Sequence, residues 1–234
     1  MKSDVIILAG GLGTRLQNLL PGSPKPMVPV NEQPFLKYLL GYVNKFSPAR
    51  IILSVGYRHE IIMDYFGHDF EGTDLIYSIE ESPLGTGGAI RKSITLAESE
   101  NVYILNGDTF FEVDLEQMEK QHHDNQADIT IALKEMRNFE RYGSVSVNDN
   151  RITRFIEKKF IQQGFINAGT YLLNKQKFLD FNWPEKFSFE KDYLEKYVEK
   201  SFFAPYFADG YFIDIGVPED YLKSQDDFKT LFNR

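Results

Sequence analysis

The stretch Val5-Ile6-Ile7-Leu8-Ala9-Gly10-Gly11-Leu12-Gly13-Thr14-Arg15-Leu16 decides the fold of this chain. Five apolar residues that end in a glycine-rich turn are typical of a buried parallel strand that leads into a tight loop. Glycines lack a Cβ, so the amide N–H groups of such a loop can face an anion. Arg15, and Lys25 in the later Lys25-Pro26-Met27, add two positive charges. The pattern therefore predicts a loop that binds several phosphate groups.

Two other phosphate-binding motifs can be tested on the same residues. A dinucleotide fingerprint that started at Gly11 and Gly13 would need Gly or Ala where Leu16 stands. A Walker loop would need Gly-Lys followed by Ser or Thr, and the loop is not followed by that triplet. Both motifs therefore fail, and the loop belongs to a different class.

The composition argues against nucleic acid and membranes as partners. The 234 residues include 34 acidic and 26 basic side chains, and the net charge of −8 does not suit a general surface for anionic polymers or lipids. The length suits one large domain, and 20 Phe and 13 Tyr residues can fill its interior. The chain has no cysteine, and its first residues resemble neither a signal peptide nor a membrane span. We therefore expect a cytoplasmic protein.

Helical and strand patterns alternate through the first half of the chain. Apolar residues at helical spacing run from Phe35 to Phe46, and residues 51–55 follow as a buried strand. The rhythm repeats, with further strands over 75–79 and 102–105. This alternation predicts an α/β fold: a single domain with a Rossmann-like, mixed but mainly parallel sheet sandwiched by helices. Ligands of such sheets bind beyond the carboxyl ends of the strands.

From about residue 128 the pattern changes to alternating strands. The tip Asn148-Asp149-Asn150 between two apolar runs is a hairpin signal. A further strand is expected over 165–173 and a last short one over 211–214. Ser188 is expected to cap one helix, and Pro218 to open the terminal helix.

Two aspartates follow predicted strands at the edge where a ligand is expected. Asp108 follows Asn106-Gly107, and Asp214 ends the last strand. Two carboxylates that meet there could share one hard cation, and Mg²⁺ characteristically takes one or two carboxylates together with phosphate oxygens. The sequence therefore predicts a Mg²⁺ site on Asp108 and Asp214. The four histidines have no ligand partner at a recognised spacing, and we interpret them as structural or surface residues.

The pattern Gly-Gly-Leu-Gly-Thr-Arg-Leu with the later Pro-Lys-Pro-Met resembles the signature of the sugar-1-phosphate nucleotidylyltransferases, also called NDP-sugar pyrophosphorylases. The resemblance extends over nearly the whole chain. It implies transfer of a nucleotidyl group from an NTP to a sugar 1-phosphate, with release of pyrophosphate and Mg²⁺ as cofactor. Within the family it favours GTP and a heptose 1-phosphate. Cytidylyl-, uridylyl- and thymidylyltransferases that act on hexose 1-phosphates share the loop or the fold, and they stay open as alternatives.

The resemblance also implies roles for single residues. Asn106-Gly107-Asp108 and Phe212-Ile213-Asp214-Ile215-Gly216 look like the two metal-binding elements of the family. Glu157-Lys158 resembles its sugar-phosphate element, although Lys159 replaces the usual proline, and Asn167-Ala168-Gly169 resembles its sugar-contacting element. The expected catalytic residues are Arg15, Lys25 and Asp108. The expected nucleotide-binding residues are Leu8, Ala9, Gly10, Gly11, Gly13, Thr14, Arg15, Glu80, Gly85 and Thr86. The expected sugar-phosphate ligands are Glu157, Lys158, Asn167 and Gly169. On this reading residues 1–127 form the nucleotide-binding half and residues 128–234 the sugar-phosphate-binding half.

The choice of base depends on Glu80 and Glu81, which precede the second glycine cluster, residues 84–89. Strand alternation would turn these two side chains to opposite faces, so at most one would face the nucleotide. Guanine presents two donors in a row that match a carboxylate, whereas uracil and thymine present one N–H between two carbonyls. A glutamate at the base therefore favours GTP, and the resemblance indicates Glu80. The alternative is that both glutamates are solvated.

Two other functional classes compete with a nucleotidyltransferase. A regulatory NDP-sugar-binding module without turnover would keep the glycine loops, but it has no reason to keep Lys25, Asp108 and Asp214 together. A glycosyltransferase usually holds its metal with an Asp-x-Asp triplet, and none stands at a predicted strand end. The expected partners are thus an NTP and a sugar 1-phosphate, and the sequence is compatible with a homo-oligomer.

Overall fold

The predicted strands and helices assemble around one central sheet. The computed structural model describes residues 3–11 and 22–232 of the chain. The strands are β1 (Asp4–Leu8), β2 (Pro29–Val30), β3 (Gln33–Pro34), β4 (Ile51–Val55), β5 (Asp69–Phe70), β6 (Thr73–Ile79), β7 (Asn101–Asn106), β8 (Thr109–Phe111), β9 (Ile129–Phe139), β10 (Ser144–Asn148), β11 (Arg151–Ile156), β12 (Ile161–Asn174), β13 (Phe203–Phe207) and β14 (Phe212–Asp214). The helices are α1 (Phe35–Asn44), α2 (His59–Phe66), α3 (Gly85–Ile94), α4 (Leu115–Asn125), α5 (Lys175–Leu179), α6 (Glu195–Tyr197) and α7 (Pro218–Phe232), together with a 3₁₀ turn at Lys25–Met27 and a π-helix at Phe189–Leu194.

The sheet has ten strands with the order β11-β10-β12-β7-β1-β4-β6-β5, and it is completed by β9 beside β12 and β13 beside β9. The neighbours β7, β1, β4 and β6 are parallel, with Val5 opposite both Ile51 and Tyr103. Strand β12 lies antiparallel beside β7, where Tyr171 is opposite Ile104. The expected α/β class with a mixed sheet is therefore confirmed.

Strand β1 is apolar on both sides because helices cover both faces of the sheet. Val5 and Ile7 pack into one buried cluster with residues of α1 such as Leu36 and Leu39. Ile6 points the other way, into a second cluster with Ile90 of α3. Alternate side chains of a strand face opposite sides, so each cluster receives every second residue. This explains why the opening strand has no polar position between Val5 and Leu8.

Several local predictions are also confirmed. Asp149 and Asn150 form the tip between β10 and β11 with positive φ angles of 47° and 58°, which Asn and Asp tolerate better than most residues. The Ser188 side chain accepts from the N–H of Lys191 and caps the π-helix. Pro218 opens α7.

Five strands have no counterpart in the sequence-based assignment, namely β2, β3, β5, β8 and β13, and the first three of these have only two residues each. Strand β8 has three residues and follows the loop that carries Asp108, so it is too short to show a period. Strand β13 contains Pro205, which argues against a strand in sequence. Proline is tolerated there because β13 lies at the edge of the sheet and pairs with β9 alone.

The sheet runs without interruption across residue 127, since β12 from the second half pairs with β7 from the first. The division into two functional halves stays an interpretation. No helix within the described ranges is long and apolar enough to cross a bilayer.

Candidate active site

The carboxyl ends of β1, β4, β6 and β7 border a cavity with a volume of about 700 Å³. A crevice at this edge is where open α/β sheets bind their ligands. Its lining includes Leu8, Gly10, Gly11, Lys25, Pro26, Ser54, Gly56, Tyr57, His59, Ile79, Glu80, Glu81, Ser82, Pro83, Gly85, Thr86, Ala89, Asn106, Asp108 and Glu190. The cavity therefore gathers most of the described residues that the sequence assigned to the nucleotide, and we call it the nucleotide cavity.

The first glycine turn brings the backbone of β1 against the neighbouring strand ends. A Cβ on Gly10 would lie 2.9 Å from Glu80 Oε1 and 3.2 Å from the Gly56 nitrogen, so a larger residue would displace Glu80 and press on the Gly56 backbone. Ala9 is fully buried and its amide donates to the carbonyl of Ser54 at 2.7 Å, so its N–H is already used. Gly13, Thr14 and Arg15 lie outside the described residues, and their predicted role in phosphate binding stays a prediction.

The ammonium group of Lys25 joins the two aspartates that were predicted as metal ligands. Lys25 Nζ lies 2.5 Å from Asp108 Oδ2 and 3.9 Å from Asp214 Oδ1. The two loops are tied together by the amide of Ile215, which donates to the carbonyl of Asp108 at 3.0 Å. Gly107 lets the turn before Asp108 lie against the end of β1, because a Cβ there would lie 2.6 Å from the Leu8 carbonyl oxygen. Three groups from distant parts of the sequence thus converge at one strand edge.

The charges in this cluster are not balanced. Two carboxylates face one ammonium group, and the Lys25 side chain is only 13% exposed. Burial and the neighbouring charge of Asp108 raise the pKa of Asp214, while Lys25 and the amide of Gly216 oppose that shift. A carboxyl pair of this kind is stabilised by additional positive charge. The site is therefore suited to a further cation.

The donor set favours a hard divalent cation. Within residues 3–11 and 22–232 no cluster of three or more His, Asp or Glu side chains has the geometry of a complete metal site. Two carboxylates supply oxygen donors only and leave most coordination positions to water and phosphate, which is the arrangement Mg²⁺ accepts. Asp108 and Asp214 therefore fit Mg²⁺ bound together with a phosphorylated substrate.

Glu80 lies at the nucleotide cavity beside Gly10. Its Oε2 accepts from the amide of Leu84 at 3.1 Å, which orients the carboxylate. Burial raises the pKa of Glu80, and the hydrogen bond from Leu84 and the charge of Lys92 act in the opposite direction. Glu81 also borders the cavity but is exposed, whereas Glu80 is half-buried, so the expectation that at most one of the two side chains faces the nucleotide stays a prediction. Strand β6 ends at Ile79, so strand alternation no longer governs the two glutamates.

The second glycine cluster has a packing role that the sequence did not reveal. Gly85 has a φ of +72°, and a Cβ there would lie 2.5 Å from the carbonyl oxygen of Phe187. A Cβ on Gly87 would overlap the Phe187 ring, and one on Gly88 would lie 2.5 Å from the carbonyl oxygen of Glu185. The glycines therefore let α3 approach a segment one hundred residues later in the chain. Gly85 and Thr86 also line the cavity, and their contact with the nucleotide stays a prediction.

A second cavity of about 570 Å³ adjoins the first and shares Asn106 and Glu190 with it. Its lining comprises Asn106, Tyr142, Gly143, Ser144, Phe155, Ile156, Glu157, Lys158, Asn167, Tyr171, Ser188, Glu190, Lys191 and Glu195. Three of the four predicted sugar-phosphate ligands, Glu157, Lys158 and Asn167, are among these residues. We call this space the acceptor cavity.

Gly169, the fourth predicted ligand, shapes the wall of the acceptor cavity. The register between β12 and β9 shifts between Asn167 and Tyr171, and Gly169 adopts a φ of +77° at that irregularity. A Cβ there would lie 2.5 Å from Asn106 Nδ2. The Asn167 side chain is fixed on both ends, since Nδ2 donates to the Tyr171 hydroxyl and Oδ1 accepts from the Gly169 amide. The Asn-Ala-Gly element thus holds one amide side chain rigidly at the cavity.

Sequence reasoning missed several cavity residues. Tyr57 and His59 follow β4 and line the nucleotide cavity, and their only sequence signal is their position after a buried strand. Tyr142 and Glu190 reach the acceptor cavity from segments that carry no motif. By contrast, His122 is structural as expected, with its ring buried between Thr130 and Asn101.

Comparison with known proteins agrees with this geometry. A family model described as nucleotidyl transferase matches residues 4–230. The D-glycero-alpha-D-manno-heptose 1-phosphate guanylyltransferase of Aneurinibacillus thermoaerophilus is 49% identical, over 95% of this chain and 96% of its own length. The protein of the same name from Campylobacter jejuni is 48% identical, over 93% of this chain and 96% of its own. The mannose-1-phosphate guanylyltransferase of Mycobacterium tuberculosis is 30% identical over 96% of this chain and 64% of its own length.

Solved structures show the same similarity in three dimensions. HddC from Yersinia pseudotuberculosis superposes with a TM-score of 0.88 at 39% identity, covering 97% of this chain and all of its own. A second structure of HddC, complexed with GMP-PN, superposes with a TM-score of 0.87 over the same shares of both chains. A putative glucose-1-phosphate thymidylyltransferase from Bacillus anthracis, only 19% identical, has a TM-score of 0.81 over 96% of this chain and 94% of its own, and it supports the fold alone.

Proposed function

This chain belongs to the nucleotidyl transferase family, and on that premise we propose that it transfers a guanylyl group from GTP to D-glycero-alpha-D-manno-heptose 1-phosphate. The products are the GDP-activated heptose and pyrophosphate. The two heptose 1-phosphate guanylyltransferases that are nearly half identical over almost the whole chain support the acceptor. The HddC complex with GMP-PN supports the guanine nucleotide.

The reaction needs little covalent chemistry from the protein. A phosphate oxygen of the sugar 1-phosphate attacks the α-phosphorus of GTP, the new P–O bond forms, and the bond to pyrophosphate breaks. A phosphate monoester is already a nucleophile at neutral pH, so no general base is required. Catalysis consists of bringing two polyanions together and neutralising the charge on the leaving group.

The two adjoining cavities are the observation that carries this proposal. Lys25 and Asp108 stand in the nucleotide cavity, and Lys158 stands in the acceptor cavity. Asn106 borders both, two residues before Asp108, so the cavities meet beside the charged cluster. Lys25 holds phosphate oxygens of GTP, and Lys158 holds the phosphate of the acceptor. A transfer between two bound substrates requires this kind of shared boundary.

We assign Asp108 and Asp214 as the residues that hold Mg²⁺. When bound, the ion supplies positive charge to the phosphate oxygens of the nucleotide. The unbalanced charge of the carboxylate pair supports this assignment. Lys25 then exchanges part of its interaction with the aspartates for the substrate phosphates. A cytoplasmic location and a homo-oligomeric state stay predictions from the sequence.

A substrate matrix tests the proposed function. The purified protein is incubated with GTP, ATP, CTP, UTP or dTTP against the 1-phosphates of D-glycero-alpha-D-manno-heptose, mannose and glucose, and pyrophosphate release is measured with and without Mg²⁺. We expect the highest kcat/KM for GTP with the heptose, and dependence on the metal. Equal use of CTP or UTP would contradict the guanine assignment. Release without added metal in the presence of a chelator would contradict the two-aspartate site.

A further inference from the structure

The wall of the acceptor cavity opposite the sheet is a π-helix, Phe189–Leu194. In an α-helix, residues five positions apart point about 140° away from each other. In a π-helix, hydrogen bonds join residues five apart, so such residues lie on the same face. Glu190 and Glu195 are five apart, and both line the acceptor cavity. Glu195 directly follows the last residue of the π-helix, and its amide still donates to the carbonyl of Glu190, so the two carboxylates lie about one turn apart on this wall.

Glu190 is fixed between the two cavities. Its Oε2 accepts from the hydroxyl of Thr86 at 2.7 Å and from that of Ser188 at 2.9 Å. The Thr86 hydroxyl oxygen in turn accepts from the amide of Phe189 at 2.9 Å. This network locks the start of α3 to the start of the π-helix. Glu190 therefore has a defined place at the boundary between nucleotide and acceptor.

Glu195 lies farther from the nucleotide. It is exposed, and it borders the acceptor cavity but not the nucleotide cavity. The helix therefore presents one carboxylate near the reacting phosphates and a second one about a turn away from them. A sugar bound with its 1-phosphate toward Asn106 extends from there into the acceptor cavity, which Glu195 borders.

The chemistry of this wall suits hydroxyl groups. Two carboxylates repel phosphate and accept hydrogen bonds from neutral O–H donors. Lys158 and Lys191 also line the cavity and supply the positive charge for the phosphate end. The wall therefore contacts the polyol part of the substrate. A heptose differs from mannose by one additional hydroxyl-bearing carbon in the side chain on C5, which lengthens the sugar on that side of the ring.

We propose that Glu195 accepts a hydrogen bond from the side-chain hydroxyls of the heptose and so selects a seven-carbon over a six-carbon sugar, while Glu190 holds a ring hydroxyl that both sugars share. The proposal rests on the proposed function, because it specifies the acceptor of that same site. It predicts that substitution of Glu195 lowers kcat/KM with the heptose 1-phosphate alone, and that substitution of Glu190 lowers kcat/KM with both acceptors.

The test compares two acceptors with saturating GTP. For Glu195→Gln we expect kcat/KM to fall about tenfold with the heptose 1-phosphate, the loss of one exposed charge-assisted hydrogen bond, mostly through a higher KM. With mannose 1-phosphate the change stays within about twofold. Glu190→Gln lowers kcat/KM with both acceptors by a similar factor. The matched control is Glu199→Gln, an exposed glutamate four residues later that lines neither cavity, and it leaves both values unchanged.

Two results would overturn the inference while the proposed function stands. One is a wild-type preference for the heptose that survives unchanged in Glu195→Gln. The other is an equal loss for both sugars in that variant. If the wild-type protein instead uses mannose 1-phosphate as well as the heptose, the proposed acceptor itself is wrong, and the inference falls with it.

Discussion

Lys25 touches both carboxylates of the charged cluster, and this position decides how the site can work. Its ammonium group lies 2.5 Å from Asp108 and 3.9 Å from Asp214. The sequence predicted Lys25, Asp108 and Asp214 because each follows a strand or a glycine turn at the same sheet edge. It could not predict the contact between them, since the three residues come from distant segments that only the folded sheet brings together.

Lys25→Ala is expected to lower turnover by about 10²- to 10³-fold, the scale of losing one preorganised charge donor to a developing oxyanion. Steady-state pyrophosphate release measures the change, and circular dichroism verifies the fold. Lys229→Ala removes an exposed lysine of α7 and serves as the control, with unchanged turnover. A folded Lys25→Ala enzyme with normal turnover would show that Lys25 only stabilises the aspartate pair.

Glu80→Gln is expected to lower kcat/KM for GTP by about ten- to a hundredfold and to narrow the preference for GTP over UTP, because one charge-assisted pair to guanine is lost. The neighbouring Glu81→Gln is the matched control. Glu81 lines the same cavity but is exposed, and its substitution should change neither value beyond about twofold. Similar losses in both variants would point to general electrostatics rather than to recognition of the base.

The raised pKa of Glu80 gives this recognition a pH dependence. Only the ionised carboxylate accepts both guanine donors, and burial shifts protonation to a higher pH than for an ordinary glutamate. The KM for GTP should therefore rise as pH falls, starting above the usual range of a carboxyl group. In Glu80→Gln this rise should be smaller, because the Glu80 carboxyl group no longer takes part in it. Parallel pH profiles of KM in the two proteins would contradict the assignment.

At the scale of elements, the second glycine cluster has one role that the sequence indicated and a second role that it did not. A glycine-rich stretch before a helix suggested contact with the nucleotide, and Gly85 does line the cavity. The neighbouring Gly87 and Gly88 are instead packed against residues 185–187. A contact between segments so far apart leaves no periodic signal in the sequence. The π-helix was also not predictable, since only its Ser188 cap follows a local rule.

Two helical glycines provide a matched pair for stability. Gly87→Ala in α3 places a Cβ into the ring of Phe187 and should destabilise the protein by about 1–3 kcal/mol. Gly41→Ala in α1 meets no atom within 4 Å and should stabilise it by up to about 1 kcal/mol. Urea denaturation measures both changes. Equal stability of the two variants would contradict the close packing of α3 on the 185–187 segment.

At the scale of the whole molecule, most of the sheet could be predicted from the sequence because its central strands are short, apolar and regularly spaced. The antiparallel strands of the second half could be predicted only in part. The hairpin between β10 and β11 carries its turn signal in Asp149 and Asn150. The sequence did not predict β13, because Pro205 argues against a strand. Proline is tolerated at the edge of a sheet, and the edge position of β13 is known only from the complete sheet. Local patterns specify elements, whereas edges and cavities depend on the assembled fold.

The buried His122 links the stability of the whole fold to pH. Its Nε2 lies 3.2 Å from Asn101 Oδ1, its Nδ1 lies 2.8 Å from the Thr130 hydroxyl oxygen, and burial lowers its pKa from 6.5 to about 4. A lowered pKa means that the neutral ring stabilises the fold above about pH 6.5, and that this contribution is lost as pH falls toward 4. The contribution is on the order of 3 kcal/mol.

The link between His122 and pH-dependent stability is tested by urea denaturation of the wild-type protein and two variants between pH 7 and 4. His122→Gln should show a weaker fall in stability with pH than the wild-type protein, because the group that takes up protons on unfolding is gone. His123→Gln, at the exposed neighbouring position, should follow the wild-type curve. Identical slopes in all three proteins would show that His122 titrates normally in the fold.

Label transfer tests most directly the central claim that the sheet edge at Lys25, Asp108 and Asp214 transfers a guanylyl group from GTP to a sugar 1-phosphate. The protein is incubated with GTP labelled at the α-phosphorus, Mg²⁺ and D-glycero-alpha-D-manno-heptose 1-phosphate. We predict that the label appears in the sugar nucleotide only when the acceptor is present, never on the protein, and that transfer is lost in Asp108→Asn. Label in free GMP, label bound to the protein, or unchanged transfer by folded Asp108→Asn would contradict the account.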